Sequence, residues 1–412
     1  MSNLSCMKFD DYSISPLIKE QLNALGYKKP TDIQFKTISH ILNGEDVMAV
    51  AQTGTGKTAA FVIPVLHKLI VSKSKIKGVN CLVMVPTREL ASQITEVFNT
   101  IGKTSKLKIL GIFGGTEQAK QINALKKGVD ILVATPGRMF DLISQGYIDV
   151  TQLKTLILDE ADLMLDLGFH KDIVDILKKI PKNRQTLFFT ATISKKIKSL
   201  AYDVVKNAIR IQVSPKNPVA KNVNHAVAFI KMDDKRFFLE NILKEYEELK
   251  FIIFARTKVR VERIVAAMDR VMLKSEALHG GVDQSERFAI LERFKNGENR
   301  VLVTTDLAAR GIDIPTVEYV INYDLPNDPE NYVHRCGRTG RGNNKGQAIS
   351  FCSEEERGLL QVIEDYTGES IAHYEIEKDE YLEILRDSED GSYDWKKLIQ
   401  ESNVEDGKED VW

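Results

Sequence analysis

Short apolar runs alternate along this chain with longer segments whose apolar residues recur at helical spacing. In the first half the runs are residues 47–50, 81–85, 131–134, 155–158 and 186–189. A run of four or five apolar residues has no polar face, so the strand it forms must be covered on both sides. Strands alternating with helices then predict a parallel sheet between two helical layers. The polar stretch Ser214-Pro215-Lys216-Asn217-Pro218 breaks the pattern. It resumes with residues 225–230, 251–254, 301–304, 317–321 and 348–352. The expectation is an α/β chain of two tandem doubly wound parallel-sheet domains, residues 1–213 and 223–370. A linker at 214–222 joins them, and an acidic tail covers 371–412.

Two strand ends in the first half carry distinctive chemistry. Residues 47–50 lead into Ala51-Gln52-Thr53-Gly54-Thr55-Gly56-Lys57-Thr58. Small residues there let successive backbone N–H groups wrap phosphates, while Lys57 reaches the terminal phosphates and the Thr58 hydroxyl can sit on Mg²⁺. Ala51 stands where such loops have their first glycine, a mild departure because alanine is nearly as small. Residues 155–158 lead into Asp159-Glu160-Ala161-Asp162. Asp159, at the end of a buried strand, suits the Mg²⁺ shell, and Glu160 suits orienting or deprotonating an attacking water. Taken separately, the loop could be an ordinary strand-to-helix turn and the acids a solvated helix start. In this order, about a hundred residues apart, they imply a nucleotide hydrolase.

Composition narrows the setting. The 412 residues are 43% hydrophobic, with no apolar run near membrane-spanning length, which predicts a soluble globular protein. Residues 1–11 lack the apolar core of a secretory signal. Cys6, Cys81, Cys336 and Cys352 lie far apart without metal-ligand spacing, which suits buried thiols in a reducing cytoplasm. The net charge of −1 conceals an asymmetry. Residues 375–412 hold fourteen acidic against five basic residues, a net of −9, which leaves +8 on residues 1–374. A basic globular part with an acidic tail is compatible with a nucleic-acid partner.

Residues 159–162 spell D-E-A-D, and from about Phe9 to about Ser370 the chain resembles the DEAD-box family of ATP-dependent RNA helicases, above all its bacterial RhlE-type members. The resemblance implies two RecA-like domains. It also implies an adenine-reading motif at Gly26-Tyr27-Lys28-Lys29-Pro30-Thr31-Asp32-Ile33-Gln34, with Phe9 upstream. A glutamine amide offers one donor and one acceptor, matching adenine N6 and N7 and so favouring ATP. Thr190-Ala191-Thr192, with Asp162, takes the place of the family's coupling motif between ATP and RNA. Gly311 would meet the γ-phosphate and Asp313 the ribose hydroxyls. In His334-Arg335-Cys336-Gly337-Arg338-Thr339-Gly340-Arg341, the family places arginine fingers at Arg338 and Arg341, with His334 linked to the acidic motif. Carboxylates in one domain and fingers in the other predict hydrolysis on domain closure.

The expected RNA contacts are Pro86, Thr87, Arg88, Gly115, Thr135 and Arg138 in the first half, and Gly280, Gln284, Arg287 and Thr304 in the second. Helix N-termini, hydroxyls and glycine N–H groups bind phosphate and sugar without reading bases, which predicts sequence-independent binding of one strand. Taken singly, Pro-Thr and Thr-Pro-Gly serve equally well as helix caps. Phe188, Phe189, Phe251 and Phe254 lie in strand-like runs and read as core. The expected activity is an RNA-dependent ATPase, a monomer, that locally unwinds short duplexes. An ATP-gated RNA clamp or assembly scaffold is the alternative. The D-E-A-D spelling and the glutamine motif disfavour a DNA helicase. Ribosome-assembly or RNA-decay proteins are compatible partners. The acidic tail either solvates the chain or folds back on its basic surface.

Overall fold

The computed structural model describes residues 7–52, 54–72, 78–213, 219, 222–309, 317–340 and 345–388. The chain divides into two compact units, one built mainly on residues up to Lys216 and the other on residues from Asn217 onward.

The strands of the first unit are β1 (Val47–Ala51), β2 (Cys81–Met84), β3 (Ile109–Ile112), β4 (Ile131–Ala134), β5 (Thr155–Leu158), β6 (Gln185–Thr190) and β7 (Ile209–Val213). Its helices are α1 (Pro16–Ala24), α2 (Asp32–Leu42), α3 (Lys57–Val71), α4 (Arg88–Ile101), α5 (Gln118–Lys126), α6 (Pro136–Ser144), α7 (Ala161–Asp166), α8 (His170–Lys179) and α9 (Lys195–Val204). The strands form one parallel sheet in the order β3-β4-β2-β5-β6-β1-β7. Alternate residues of β1 enter different cores, Val47, Ala49 and Ala51 on one face and Met48 and Val50 on the other. Both faces are therefore dry, which is why the strands read as unbroken apolar runs. Phe61 of α3 packs on Phe189 of β6 at 5.1 Å and on Phe98 of α4 at 6.3 Å between ring centroids, which pins the helix that follows the glycine loop. Truncating a buried phenylalanine of this kind costs about 3–5 kcal/mol.

The second unit repeats the architecture. Its strands are β8 (Val223–Phe229), β9 (Phe251–Phe254), β10 (Glu276–Leu278), β11 (Val301–Thr304), β12 (Tyr319–Asn322), β13 (Gly346–Cys352) and β14 (Ala372–Tyr374). They pair in parallel in the order β10-β11-β9-β12-β13-β8-β14. Its helices are α10 (Lys235–Glu245), α11 (Lys258–Arg270), α12 (Gln284–Asn296), α13 (Asp306–Ala309), α14 (Pro329–Cys336), α15 (Arg357–Thr367) and α16 (Lys378–Asp387). Lys235, the first residue of α10, is fully buried, and its ammonium donates to Glu356 Oε2 at 2.5 Å and to the Tyr323 carbonyl at 2.7 Å.

The structure differs from the sequence expectation at two places. Residues 372–387 are not tail: β14 pairs with β8, and α16 sets the Tyr381 ring 4.7 Å from that of Phe238 on α10. Three strand residues are too few to show a periodicity, and the acidic charge of the flanking residues masks them. Val317 belongs to an isolated bridge with Thr339 rather than to β12. Of the expected linker, Val219 and Asn222 lie among the described residues. Phe188, Phe189, Phe251 and Phe254 are core, and Cys81, Cys336 and Cys352 are buried. Among the described residues no helix is long and apolar enough to cross a membrane.

Candidate nucleotide site and nucleic-acid interface

Parallel strands present all their C-terminal ends at one edge of the sheet, where ligands of open α/β sheets bind. In the first unit the strand order sorts the candidate residues along that edge. β5, β6 and β1 are neighbours, with Leu158 level with Phe188 and Val50 level with Thr190. Asp159-Glu160, Thr190-Ala191-Thr192 and the glycine loop therefore emerge side by side. β3, β4 and β2 are also neighbours, with Ile112, Ala134 and Met84 level. Gly114-Gly115, Thr135 and Pro86-Thr87-Arg88 emerge together there, next to the acids because β2 pairs with β5.

The loop after β1 is built around backbone that only glycine adopts freely. Gly54 and Gly56 have φ of 77° and 91°, and Gly56 caps α3. Ala51, in the place of the first glycine, is the last residue of β1 and is buried in the core, so its methyl group meets no ligand. The Thr55 hydroxyl donates to the Gln52 carbonyl at 2.7 Å. Gln34 is buried and clamps this loop: its Nε2 donates to the Gly56 carbonyl at 3.0 Å, while its Oε1 accepts from the Thr31 N–H at 3.0 Å. Thr31 and Gln34 form a capping box at the start of α2. Phe9 lies in the core, its ring 6.2 Å from that of Tyr27, which is 36% exposed. Tyr27 is the aromatic with an open face, and Phe9 backs it. Thr53 lies outside the described residues.

Lys57 opens α3 and is buried, yet its ammonium has no hydrogen-bond partner among the described residues. An unsatisfied buried ammonium is costly, and phosphate oxygens would satisfy it. Asp159 is also buried. Burial raises its carboxyl above the ordinary carboxylate range, opposed by the Lys57 ammonium and the Glu160 N–H, with Asp162 adding to the rise. The Glu160 N–H donates to Asp159 Oδ1 at 3.0 Å. Glu160 has φ 49° and ψ 51°, a left-handed conformation that costs a non-glycine residue about 1–2 kcal/mol. Such strain persists where surrounding structure over-determines it. Asp162 Oδ2 accepts from the N–H groups of Ala191 and Thr192 at 3.1 and 3.0 Å, and the Thr190 hydroxyl donates to the Thr192 carbonyl at 3.0 Å. The acidic motif and the threonine motif are thus one hydrogen-bonded unit.

The donor set fits Mg²⁺ held together with a nucleotide. Among the described residues no group of three or more His, Cys, Asp or Glu could cage a metal. Mg²⁺ keeps most of its waters and takes one or two protein ligands plus substrate phosphates, which Asp159 and the half-buried Thr58 can supply.

Along the other half of the same edge, a methyl group on Gly115, whose φ is 75°, would collide with the Arg88 guanidinium. Arg88 therefore lies over the glycine turn. Thr87 caps α4 by accepting from the Leu90 N–H at 3.3 Å. Thr135 caps α6 and is buried, and Arg138 donates to Gln121 Oε1 at 3.0 Å.

In the second unit Leu278, Thr304, Phe254 and Asn322 are level across the sheet. Gly280 is exposed with open space around it, and Arg287 donates to the His279 carbonyl at 3.0 Å, beside Gly280. Gln284 opens α12 and is half-buried. Thr304 is fully buried with its hydroxyl committed to the Leu278 carbonyl at 2.9 Å. The half-buried hydroxyl of Thr305 is the more accessible one on that strand end. The three arginines of the basic motif separate. Arg335 is 1% exposed and grips Asp306 with two bonds of 2.5 and 2.7 Å while also donating to the Asp324 carbonyl, so it is a structural residue. Arg338 is 4% exposed, and His334 is half-buried. Gly311, Asp313 and Arg341 lie outside the described residues.

Comparison with known proteins decides the family. The model for the DEAD/DEAH box helicase matches residues 31–200, and that for the helicase conserved C-terminal domain matches residues 234–343. The chain belongs to the DEAD-box family of ATP-dependent RNA helicases. The ATP-dependent RNA helicase CshA of Listeria monocytogenes is 40% identical over 362 residues, 87% of this chain and 69% of that protein. RhlB of Shewanella amazonensis is 38% identical over 389 residues, 93% of this chain and 89% of its own. DbpA of Bacillus subtilis is 38% identical over 394 residues, 94% and 82% of the two chains. Near-equal identity to three differently named helicases places the chain in the family without favouring one subgroup. Among solved structures, S. cerevisiae Dbp5 bound to RNA and ADP BeF3 has a TM-score of 0.80 at 29% identity, covering 92% of this chain and 98% of that one. The DEAD-box helicase Mss116 bound to ssRNA and UDP-BeF has a TM-score of 0.81 at 28% identity, covering 93% and 84%. These likenesses match the two DEAD-box RecA-like folds of the chain.

Proposed function

We propose that this DEAD-box helicase is an RNA-stimulated ATPase that grips single-stranded RNA by its backbone and locally opens short duplexes. The observation that carries the reading is the buried Lys57 ammonium, which has no hydrogen-bond partner among the described residues and acts on the charge of buried Asp159, with Glu160 held in a left-handed conformation beside Asp159. In this reading Gln34 and Tyr27 hold adenine, and Phe9 supports Tyr27. The N–H groups from residue 53 to residue 58 and Lys57 bind the phosphates, and Glu160 orients and deprotonates the attacking water. Bound Mg²⁺, held by Asp159 and Thr58, would neutralise charge on the phosphate oxygens. Arg338 and Arg341 take the arginine-finger role and Gly311 and Asp313 the γ-phosphate and ribose roles that the resemblance gives them. Asp162, bonded to the threonine motif, passes a change at the nucleotide to the strand ends that carry Arg88, Gly115 and Arg138.

The solved structures of Dbp5 bound to RNA and ADP BeF3 and of Mss116 bound to ssRNA and UDP-BeF support the same reading. Helix N-termini and glycine N–H groups at the RNA edge read no bases, so binding is sequence-independent, and preference for RNA rests on 2′-hydroxyl contacts. The test is steady-state ATP hydrolysis with and without single-stranded RNA, for the intact chain and for Glu160→Gln. RNA stimulation that disappears in the variant is expected. Hydrolysis indifferent to RNA, or unchanged in the variant, overturns the proposal. Long RNA residence without duplex opening would instead make the protein an ATP-gated clamp.

A further inference from the structure

A cavity of about 680 Å³ opens in the second unit between the first turn of α10 and the outer face of α11. Arg236, Arg260, Arg263 and Arg270 line it, above apolar surface that includes Met232 and Tyr323, and Asp233 is the one acid among its lining residues. None of these residues belongs to the nucleotide site or the RNA edges. Arg260 is partly neutralised, its Nε lying 3.1 Å from Asp324 Oδ1 and its guanidinium stacked 5.3 Å from the Tyr323 ring centroid. Arg263 and Arg270 are exposed and lie seven residues apart, about two turns, so both face the cavity from one side of α11. Four guanidiniums around an apolar floor suit carboxylates joined to an aromatic ring, because guanidinium both pairs with carboxylate and stacks on aromatic faces.

The sequence just beyond the last described residue, Ser388, has that chemistry. α16 lies along α10: the Tyr381 hydroxyl donates to Asp234 Oδ2 at 2.7 Å, and Ser388 is hydrogen-bonded to Glu240. Glu240 is four residues, about one turn, from Arg236 on the same helix. The next residues are Glu389-Asp390-Gly391-Ser392-Tyr393-Asp394-Trp395, with three carboxylates, two aromatic rings and no basic side chain. Seven residues span up to roughly 24 Å, more than twice the 8–10 Å or so between the axes of packed helices. We propose that residues 389–395 dock in this cavity, with carboxylates on the α11 arginines and an aromatic ring stacked among them. Tethering at Ser388 gives the segment an effective concentration in the millimolar range, about what short flexible linkers provide. An affinity too weak to register in trans therefore suffices.

Both tryptophans of the chain, Trp395 and Trp412, lie beyond Ser388, so a Trp412→Phe full-length protein reports on Trp395 alone. Its emission is expected to be blue-shifted and shielded from acrylamide relative to a free peptide of residues 389–412. Arg263→Glu with Arg270→Glu is expected to lower the docked-to-free ratio about tenfold, two exposed pairs being reversed. Asp394→Lys should do the same from the tail side with the cavity intact, and combining it with Arg263→Glu should recover shielding. Raising salt from 0.1 to 1 M, where the Debye length falls from about 10 to about 3 Å, should also release Trp395. The proposal is overturned if Trp395 in the unaltered cavity matches the free peptide, or if neither the arginine reversals nor Asp394→Lys changes its shielding. Arginine-dependent capture of a short RNA while Trp395 stays exposed would assign the cavity to nucleic acid instead.

Discussion

Adding one methyl group at Gly56 probes the nucleotide cradle at its tightest point. A Cβ there would sit 2.5 Å from Gln34 Nε2 and 3.0 Å from Thr31 Oγ1, with φ at 91°. The left-handed backbone costs a non-glycine residue about 1–2 kcal/mol. The clash displaces the Gln34 amide, which makes two hydrogen bonds of 3.0 Å in a buried position, and losing them costs a further 1–2 kcal/mol or so. Gly56→Ala should therefore weaken binding of a non-hydrolysable ATP analogue by roughly 3 kcal/mol, about a hundredfold. Fluorescence anisotropy with a labelled nucleotide measures this, and thermal unfolding without nucleotide separates damage to the fold from damage to the loop. Gln34→Ala should remove the clash, so that adding Gly56→Ala in that background costs only the backbone part, about 1–2 kcal/mol. Unchanged affinity in Gly56→Ala, or full additivity of the two changes, would show that Gln34 does not brace this loop.

Other consequences can be checked independently. Because burial raises the Asp159 carboxyl above its ordinary value of 3.8, the folded protein binds that proton more tightly than the unfolded chain does. Asp159 therefore lowers stability as pH rises from about 4 through its raised pKa, and Asp159→Asn should flatten that fall in urea titrations while abolishing RNA-stimulated hydrolysis. Glu356 binds the buried Lys235 ammonium, Arg256 at 3.1 Å and the Leu325 N–H at 3.2 Å. Glu356→Gln should destabilise the second unit by roughly 3–5 kcal/mol in denaturant unfolding, because a buried cation loses its main counter-charge. Burial lifts the Cys336 thiol to about 12 and the Cys352 thiol to about 11, and raises that of Cys81. All three should resist iodoacetamide at pH 7.5 until denaturant is added, as mass spectrometry would show. Modification of Cys336 in the native protein would contradict its placement.

Features that depend on residues close together in the chain are legible in the order of the residues. Apolar runs at residues 47–50, 155–158 and 251–254 specified strands dry on both faces, and the residues just beyond the first two specified phosphate and acid chemistry. The family resemblance, which the donor and acceptor of a glutamine amide suit, implied that Gln34 reads adenine. Tertiary structure decided everything that depends on which strand lies beside which. Pairing β5 with β6 and β6 with β1 brings Asp159, Thr190 and the glycine loop together, although more than a hundred residues separate the first from the last. The same register ties Asp162 to the N–H groups of residues 191 and 192. Spacing could not distinguish Arg335 from Arg338, because their difference lies in Asp306, Asn322 and Asp324, which other elements supply. The strain at Glu160 and the spent hydroxyl of Thr304 were equally hidden. The arginine cavity was invisible for the same reason, since its lining runs from Met232 to Tyr323 and converges only when α10 and α11 pack on one face of a sheet. Local chemistry is written along the chain, whereas the neighbours that direct it are selected by strand order and burial.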